Sequence, residues 1–148
     1  MIITIALENE RKLVDELGFS GYPVVVTGVG GVNVINALKN ISKDEEILNI
    51  GYAGSNHLPV GEKVTVGTAC LLHEIFKYEE KIGKTLDYPK SKINCYTSTD
   101  FVTKSEIDEP CVFDMELAFI CAMFEKVRSI KIVSDNLDLH AFEQHIEE

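Results

Sequence analysis

The chain has 148 residues, 45 % of them hydrophobic, enough to bury one core and too few for two comfortable ones, so a single domain over 1–148 is expected. A formal net charge of −10 excludes the clustered Lys and Arg that a nucleic-acid or anionic-membrane surface requires, and leaves small ligands as the expected partners. Cys70, Cys95, Cys111 and Cys121 show no CxxC spacing and lie in or beside apolar runs, which suits buried thiols in a reducing compartment; a cytoplasmic protein is expected. The opening MIITIAL has neither a basic leader nor a small-residue cleavage site, and no run reaches the ~20 apolar residues needed to cross a bilayer, so it reads as a first strand.

Short β-branched runs then alternate with helical patterns. ENERKLVDELG reads as a polar helix closed by Gly18, YPVVVTGVG as a strand, VNVINALKNIS as a helix and EILNIGYAG as a strand. The near-continuous apolar character of PVVVTGV and EILNIGYA predicts strands covered on both faces. EKVTVGTACLL follows the HLPVGE turn as one strand, and the polar stretch from Lys77 to Lys92 reads as an exposed loop. NCYTSTDF, PCVFDM and SIKIVSD supply further strands, MELAFICAMFEKV the most apolar helix, and LHAFEQHIEE a short amphipathic tail. Such alternation predicts an α/β sandwich.

Glycines and carboxylates recur after the strands. TGVGGVNVINAL follows a strand and opens a helix, but Asn33 stands where a dinucleotide fingerprint needs its third glycine, and no GK[ST] is present for a P-loop. A tight strand-to-helix turn at Gly28, Gly30 and Gly31 explains it more simply. NIGYAGSN repeats the theme, and two glycine turns at neighbouring strand ends outline a crevice of the kind in which open α/β sheets bind ligands. Asp114 as a cap and Glu116 in the first helical turn, Ser134, Asp135 and Asp138 in a turn, and Glu8 and Glu10 at a helix start each have an ordinary structural explanation. Their shared placement after strands predicts that one sheet edge collects them.

In the order ALENER, TGVGGVNVINAL, NIGYAGSNHLPVGEKVTVGTA, TSTDFV, DMELAFIC and VSDNLD, the chain resembles the purine nucleoside phosphorylase superfamily, and most its 5′-methylthioadenosine/S-adenosylhomocysteine nucleosidase branch. The resemblance covers nearly the whole chain. It implies a three-layer α/β/α sandwich around a mixed, partly closed sheet, a purine nucleoside as ligand, a homodimer, and no cofactor or metal. It further implies that Glu116 and Met115 hold the ribose hydroxyls, that Asp135 with Ser134 addresses the purine, and that Glu10, with Glu8 as a register-shifted rival, activates water. Phe101 and Val102 would stack on the base and offer it backbone hydrogen bonds, while Ala53 and Gly54 would lie beneath the sugar.

Departure of a purine from an oxocarbenium-like ribose calls for an acid at the base and a carboxylate at the water, by analogy with glycoside hydrolysis. Two separated carboxyl groups are therefore needed. The chain departs from the family pattern in a short segment before NCYTSTDF, in a lid reduced to LHAFEQHIEE with Phe142, and in Lys131 where the family has arginine. Phosphorolysis is the nearest alternative, disfavoured because a phosphate nucleophile needs an arginine fork and only Arg11 and Arg128 exist. A nucleoside-binding protein without catalysis is the alternative from another class.

Overall fold

The computed structural model describes residues 1–73, 78–100 and 102–137. Phe101, Asp138 and LHAFEQHIEE with Phe142 lie outside the described residues.

The chain forms β1 (Ile2–Ile5), a 3-10 turn (Glu8–Glu10), α1 (Arg11–Glu16), β2 (Val24–Val26), α2 (Gly31–Leu38), β3 (Ile47–Ser55), β4 (Lys63–Thr65), β5 (Thr68–His73), β6 (Tyr78–Lys84), β7 (Asn94–Thr97), β8 (Val112–Asp114), α3 (Leu117–Met123) and β9 (Val127–Asp135). One mixed nine-stranded sheet runs β2-β1-β3-β8-β7-β5-β6, with β9 on the other side of β3 and β4 beyond β9. The partly closed sheet that the resemblance implies is not found: among the described residues the sheet stays open, because β2, β4 and β6 each pair along one side only and none bonds to another end strand.

β3 alternates its side chains between two cores, as a strand covered on both faces must. Leu48 and Ile50 meet Ile3 and Ile5 of β1 and Leu13 and Val14 of α1 on one face. Ile47 and Ala53 meet Val34 and Leu38 of α2 and Leu117 and Ile120 of α3 on the other. The expected three layers result. Each buried Leu, Ile or Val in them contributes on the order of 1.5–3 kcal/mol relative to exposure. Gly18 closes α1 as its pattern implied, at φ +87°, with its N–H donating to Asp15 O at 3.1 Å.

Three further expectations need correction. PVVVTGV is covered on both faces only in part: Val24 packs against one core and Val25 against the other, but β2 is an edge strand among the described residues and Val26 at its end is exposed. EKVTVGTACLL divides at Gly67 into β4, which pairs with β9, and β5, which pairs with β6 and β7; a side chain at Gly67 would collide with the Ser91 carbonyl, so the chain crosses itself there. Within the stretch read as a loop, Tyr78–Lys84 is an antiparallel edge strand against β5. Edge strands are commonly rich in charge, and Glu79, Glu80, Lys81 and Lys84, whose polarity suggested a loop, suit an edge that pairs no further.

Candidate active site

The cleft arises from the topology of β3. Along one edge, β1 pairs with it in parallel as far as Thr4↔Asn49, and β8 pairs antiparallel from Gly54↔Phe113 onward. Between them β3 has no strand partner on that edge, and the chain leaving β1 and the chain leaving β8 both turn away from the gap. This is where a sheet opens a crevice. Because β8 runs against β3, Glu10, Asp114 and Glu116 gather at this gap while Asp135 lies beside Gly54 on the other edge of β3, rather than all along the single row of strand ends expected from the sequence.

Glu10 fills the gap from the β1 side. Its Oε2 accepts from Tyr52 N–H at 2.8 Å, and its Oε1 accepts from Ala6 and Leu7 N–H at 2.9 and 3.0 Å. Its side chain reaches β3 because residue 51 is glycine: a Cβ there would lie 2.8 Å from Oε2. Burial raises the Glu10 pKa despite these N–H donors. Its rival Glu8 is exposed and paired with Arg11, which removes both from the cleft.

Glu116 and Asp114 arrive from β8. Glu116 Oε2 accepts from Gly30 N–H at 2.9 Å, so the glycine loop before α2, with Gly30 at φ +89°, presents its amide to a carboxylate of the same chain. Burial first, and then the nearby Asp114 charge, push the Glu116 pKa up to about 7. Asp114 has the capping bond expected of it, accepting from Leu117 N–H at 2.8 Å on Oδ2. It also accepts from the Thr97 hydroxyl at 2.6 Å and pairs with Lys131 Nζ at 3.0 Å. Thr97 Oγ1 in turn accepts from Ala118 N–H at 2.9 Å, locking α3 to β7. Lys131 is 1 % exposed, so its ammonium exists there only because Asp114 faces it; that carboxylate, first among the partners that oppose burial, holds the lysine pKa high. Burial works against the Asp114 carboxylate, yet Lys131 and the hydrogen bonds outweigh it and keep its pKa low.

Asp135 ends β9 and is fully buried. Its Oδ2 accepts from the Ser134 hydroxyl at 2.7 Å and its Oδ1 from Leu137 N–H at 2.9 Å. Gly54 again makes room, since a Cβ there would stand 2.9 Å from Oδ1. NIGYAG is thus strand rather than glycine turn: Gly51 and Gly54 leave space on β3 for Glu10 and Asp135.

The cleft itself is lined by Glu10, Ala53, Gly54, Val102, Met115 and Glu116 from among the sequence-derived candidates, together with Tyr52, Val29, Phe113, Asp114 and Asp100. Asp135, bonded to Ser134, lies against Gly54 and outside the lining, and Phe101 is outside the described residues. The partnership of Lys131 with Asp114 and the Tyr52 N–H that orients Glu10 were missed from the sequence. A lone lysine inside the apolar alternation of SIKIVSD was the one available signal for the first. Among the described residues, no group of three or more His, Cys, Asp and Glu side chains is arranged to hold a metal ion.

No protein-family model and no curated protein matches the sequence. Solved structures do. A 5′-methylthioadenosine/S-adenosylhomocysteine nucleosidase from Colwellia psychrerythraea in complex with adenine superposes with a TM-score of 0.75 at 19 % identity, over 99 % of this chain and 87 % of that one. The futalosine hydrolase of Helicobacter pylori gives 0.73 at 14 % identity, over 99 % and 88 %. An MTAN from Chlamydia trachomatis bound to MTA gives 0.71 at 14 % identity, over 99 % and 86 %. The chain therefore shares the fold of these nucleosidases.

Proposed function

We propose that the chain is a purine nucleosidase, hydrolysing the N-ribosidic bond of an adenosine-type nucleoside such as 5′-methylthioadenosine, S-adenosylhomocysteine or a futalosine-type compound. The observation that carries this reading is the placement of Glu10 and Glu116 in the lining of one cleft, with Asp135 against its lining residue Gly54. Glu116 and Met115 hold the ribose, Ala53 and Gly54 lie under it, and Phe101 and Val102 take the base. Glu10 accepts the proton of a water whose oxygen attacks the anomeric carbon; Oε2 retains a lone pair beyond the Tyr52 bond for this. As the C–N bond breaks, its electron pair goes to the purine and Asp135 supplies the proton. Ser134 suits this step, because a hydroxyl that donates to the carboxylate can turn and accept from the acid.

Charge favours water over phosphate as nucleophile. Among the described residues the lining carries Glu10, Asp100, Asp114 and Glu116 and no Lys or Arg. Lys131 is committed to Asp114, Arg11 to Glu8, and exposed Arg128 enters β9 at the end opposite Asp135. An anionic cleft stabilises a cationic sugar and repels a phosphate dianion. We also propose a cytoplasmic homodimer: α2 leaves Val32 76 % and Ile35 46 % exposed, an apolar face beside cleft residue Val29 that a second copy would cover. No helix among the described residues is long and apolar enough to cross a membrane. Light scattering that finds a monomer at micromolar concentration would remove the dimer.

The test of the reaction is incubation with adenosine, inosine, methylthioadenosine and aminodeoxyfutalosine, each with and without phosphate. Free base without phosphate supports the nucleosidase. Base released only with phosphate makes it a phosphorylase, and saturable binding without turnover makes it a binding protein.

A further inference from the structure

Leu137, two residues beyond Asp135, is the one non-glycine residue with positive φ among the described residues, at +71°. The left-handed region sets a leucine Cβ against its own carbonyl, so surrounding contacts must hold it there. Its N–H donates to Asp135 Oδ1 at 2.9 Å. Its side chain packs, as Val102 does, against the buried cluster of Cys70, Tyr96, Cys111 and Phe113, and Cδ2 lies 3.2 Å from the place a Cβ on residue 54 would take. Gly54, Val102 and Phe113 line the cleft and Leu137 does not; its side chain lies against Gly54, beside Asp135. The cavity left is about 50 Å³. Pockets that enclose small molecules run to roughly 300 Å³ and above. Asp135 itself is 0 % exposed.

We propose that Leu137 determines which base the cleft admits: its side chain fills the space beside Gly54 through which a purine would meet Asp135, and it swings aside when a planar base replaces its apolar packing. This rests on the purine nucleosidase reading. The exchange is favourable for a flat, wide base, which takes over the apolar contacts while the backbone leaves the left-handed region. A smaller ring replaces less of that packing and leaves the leucine in place.

The test compares wild type with Leu137→Gly, which keeps the backbone state without strain and removes the side chain. With no leucine to displace, adenine affinity measured by calorimetry should rise roughly tenfold, the size expected for part of a buried leucine, and the preference for adenine over uracil should shrink. A residue that only supported the fold would weaken binding when truncated. Should the glycine variant fail to fold, wild type decides alone: the Leu137 methyl resonances, assigned through the backbone, should shift as adenine saturates the protein. Unchanged or weaker adenine affinity in a folded variant, or methyl signals that stay put at saturation, overturns the Leu137 proposal and leaves the nucleosidase reading standing. Failure of both proteins to bind adenine or methylthioadenosine overturns both.

Discussion

Replacing Glu116 by glutamine separates the charge of this side chain from its shape. Glutamine still offers an oxygen to the Gly30 N–H, which lies 2.9 Å from Glu116 Oε2, but it has no proton to lose. The carboxyl titrates at about 7 in the folded chain against an ordinary value of 4.5, because burial and the Asp114 charge both oppose its ionisation. A folded-state pKa raised above the unfolded one means that the folded state binds the extra proton between these values, so stability falls as pH rises through this window and levels off above about 7. Each tenfold difference in proton affinity between the two states is worth about 1.4 kcal/mol, so the whole effect is on the order of 3 kcal/mol. Urea titrations at pH 5 and pH 8 on both proteins measure it, and their difference cancels the other titrating groups. Glu116→Gln should gain up to about 3 kcal/mol on wild type in going from the lower pH to the higher. A difference that stays flat across this range would mean that Glu116 ionises freely, and the account of its burial beside Asp114 would fail.

Asp135→Asn should lower turnover by roughly 100- to 10,000-fold while nucleoside binding persists, since the amide still bonds the base; wild-type turnover in a single-turnover assay would refute the acid role. Lys131→Met should cost about 3–5 kcal/mol by stranding buried Asp114, and Lys131→Met/Asp114→Asn should recover most of it while keeping an acceptor for Leu117 N–H; chemical denaturation reads both, and a harmless single substitution would contradict the ion pair. Gly51→Ala places a methyl 2.8 Å from Glu10 Oε2, which should push Glu10 off Tyr52 N–H and reduce turnover on the order of 100-fold with an unchanged circular dichroism spectrum; full activity would show that Glu10 need not sit there.

Much of the fold was legible because local pattern and tertiary role agree where burial is extreme. The apolar, β-branched runs MIITIAL, EILNIGYAG and SIKIVSD marked β1, β3 and β9, the parallel centre of the sheet, and Gly18 marked the end of α1. At the periphery that agreement is lost. Tyr78–Lys84 is charged because it is an edge strand, and the valines of β2 sit on an edge that their composition disguised. In the site, the residue types at Glu10, Glu116 and Asp135 marked them as candidates, since carboxylates that interrupt apolar surroundings after strands need a reason to be there. What these carboxylates do to one another depends on distances between residues far apart in the chain. Lys131 meets Asp114 across the sheet, Gly30 meets Glu116, and Gly51 and Gly54 lend the space into which Glu10 and Asp135 fit. Residue types are local and can be read in order, whereas burial and partnership, which decide whether a carboxyl holds its proton at neutral pH, exist only once β3 has been flanked by β1, β8 and β9.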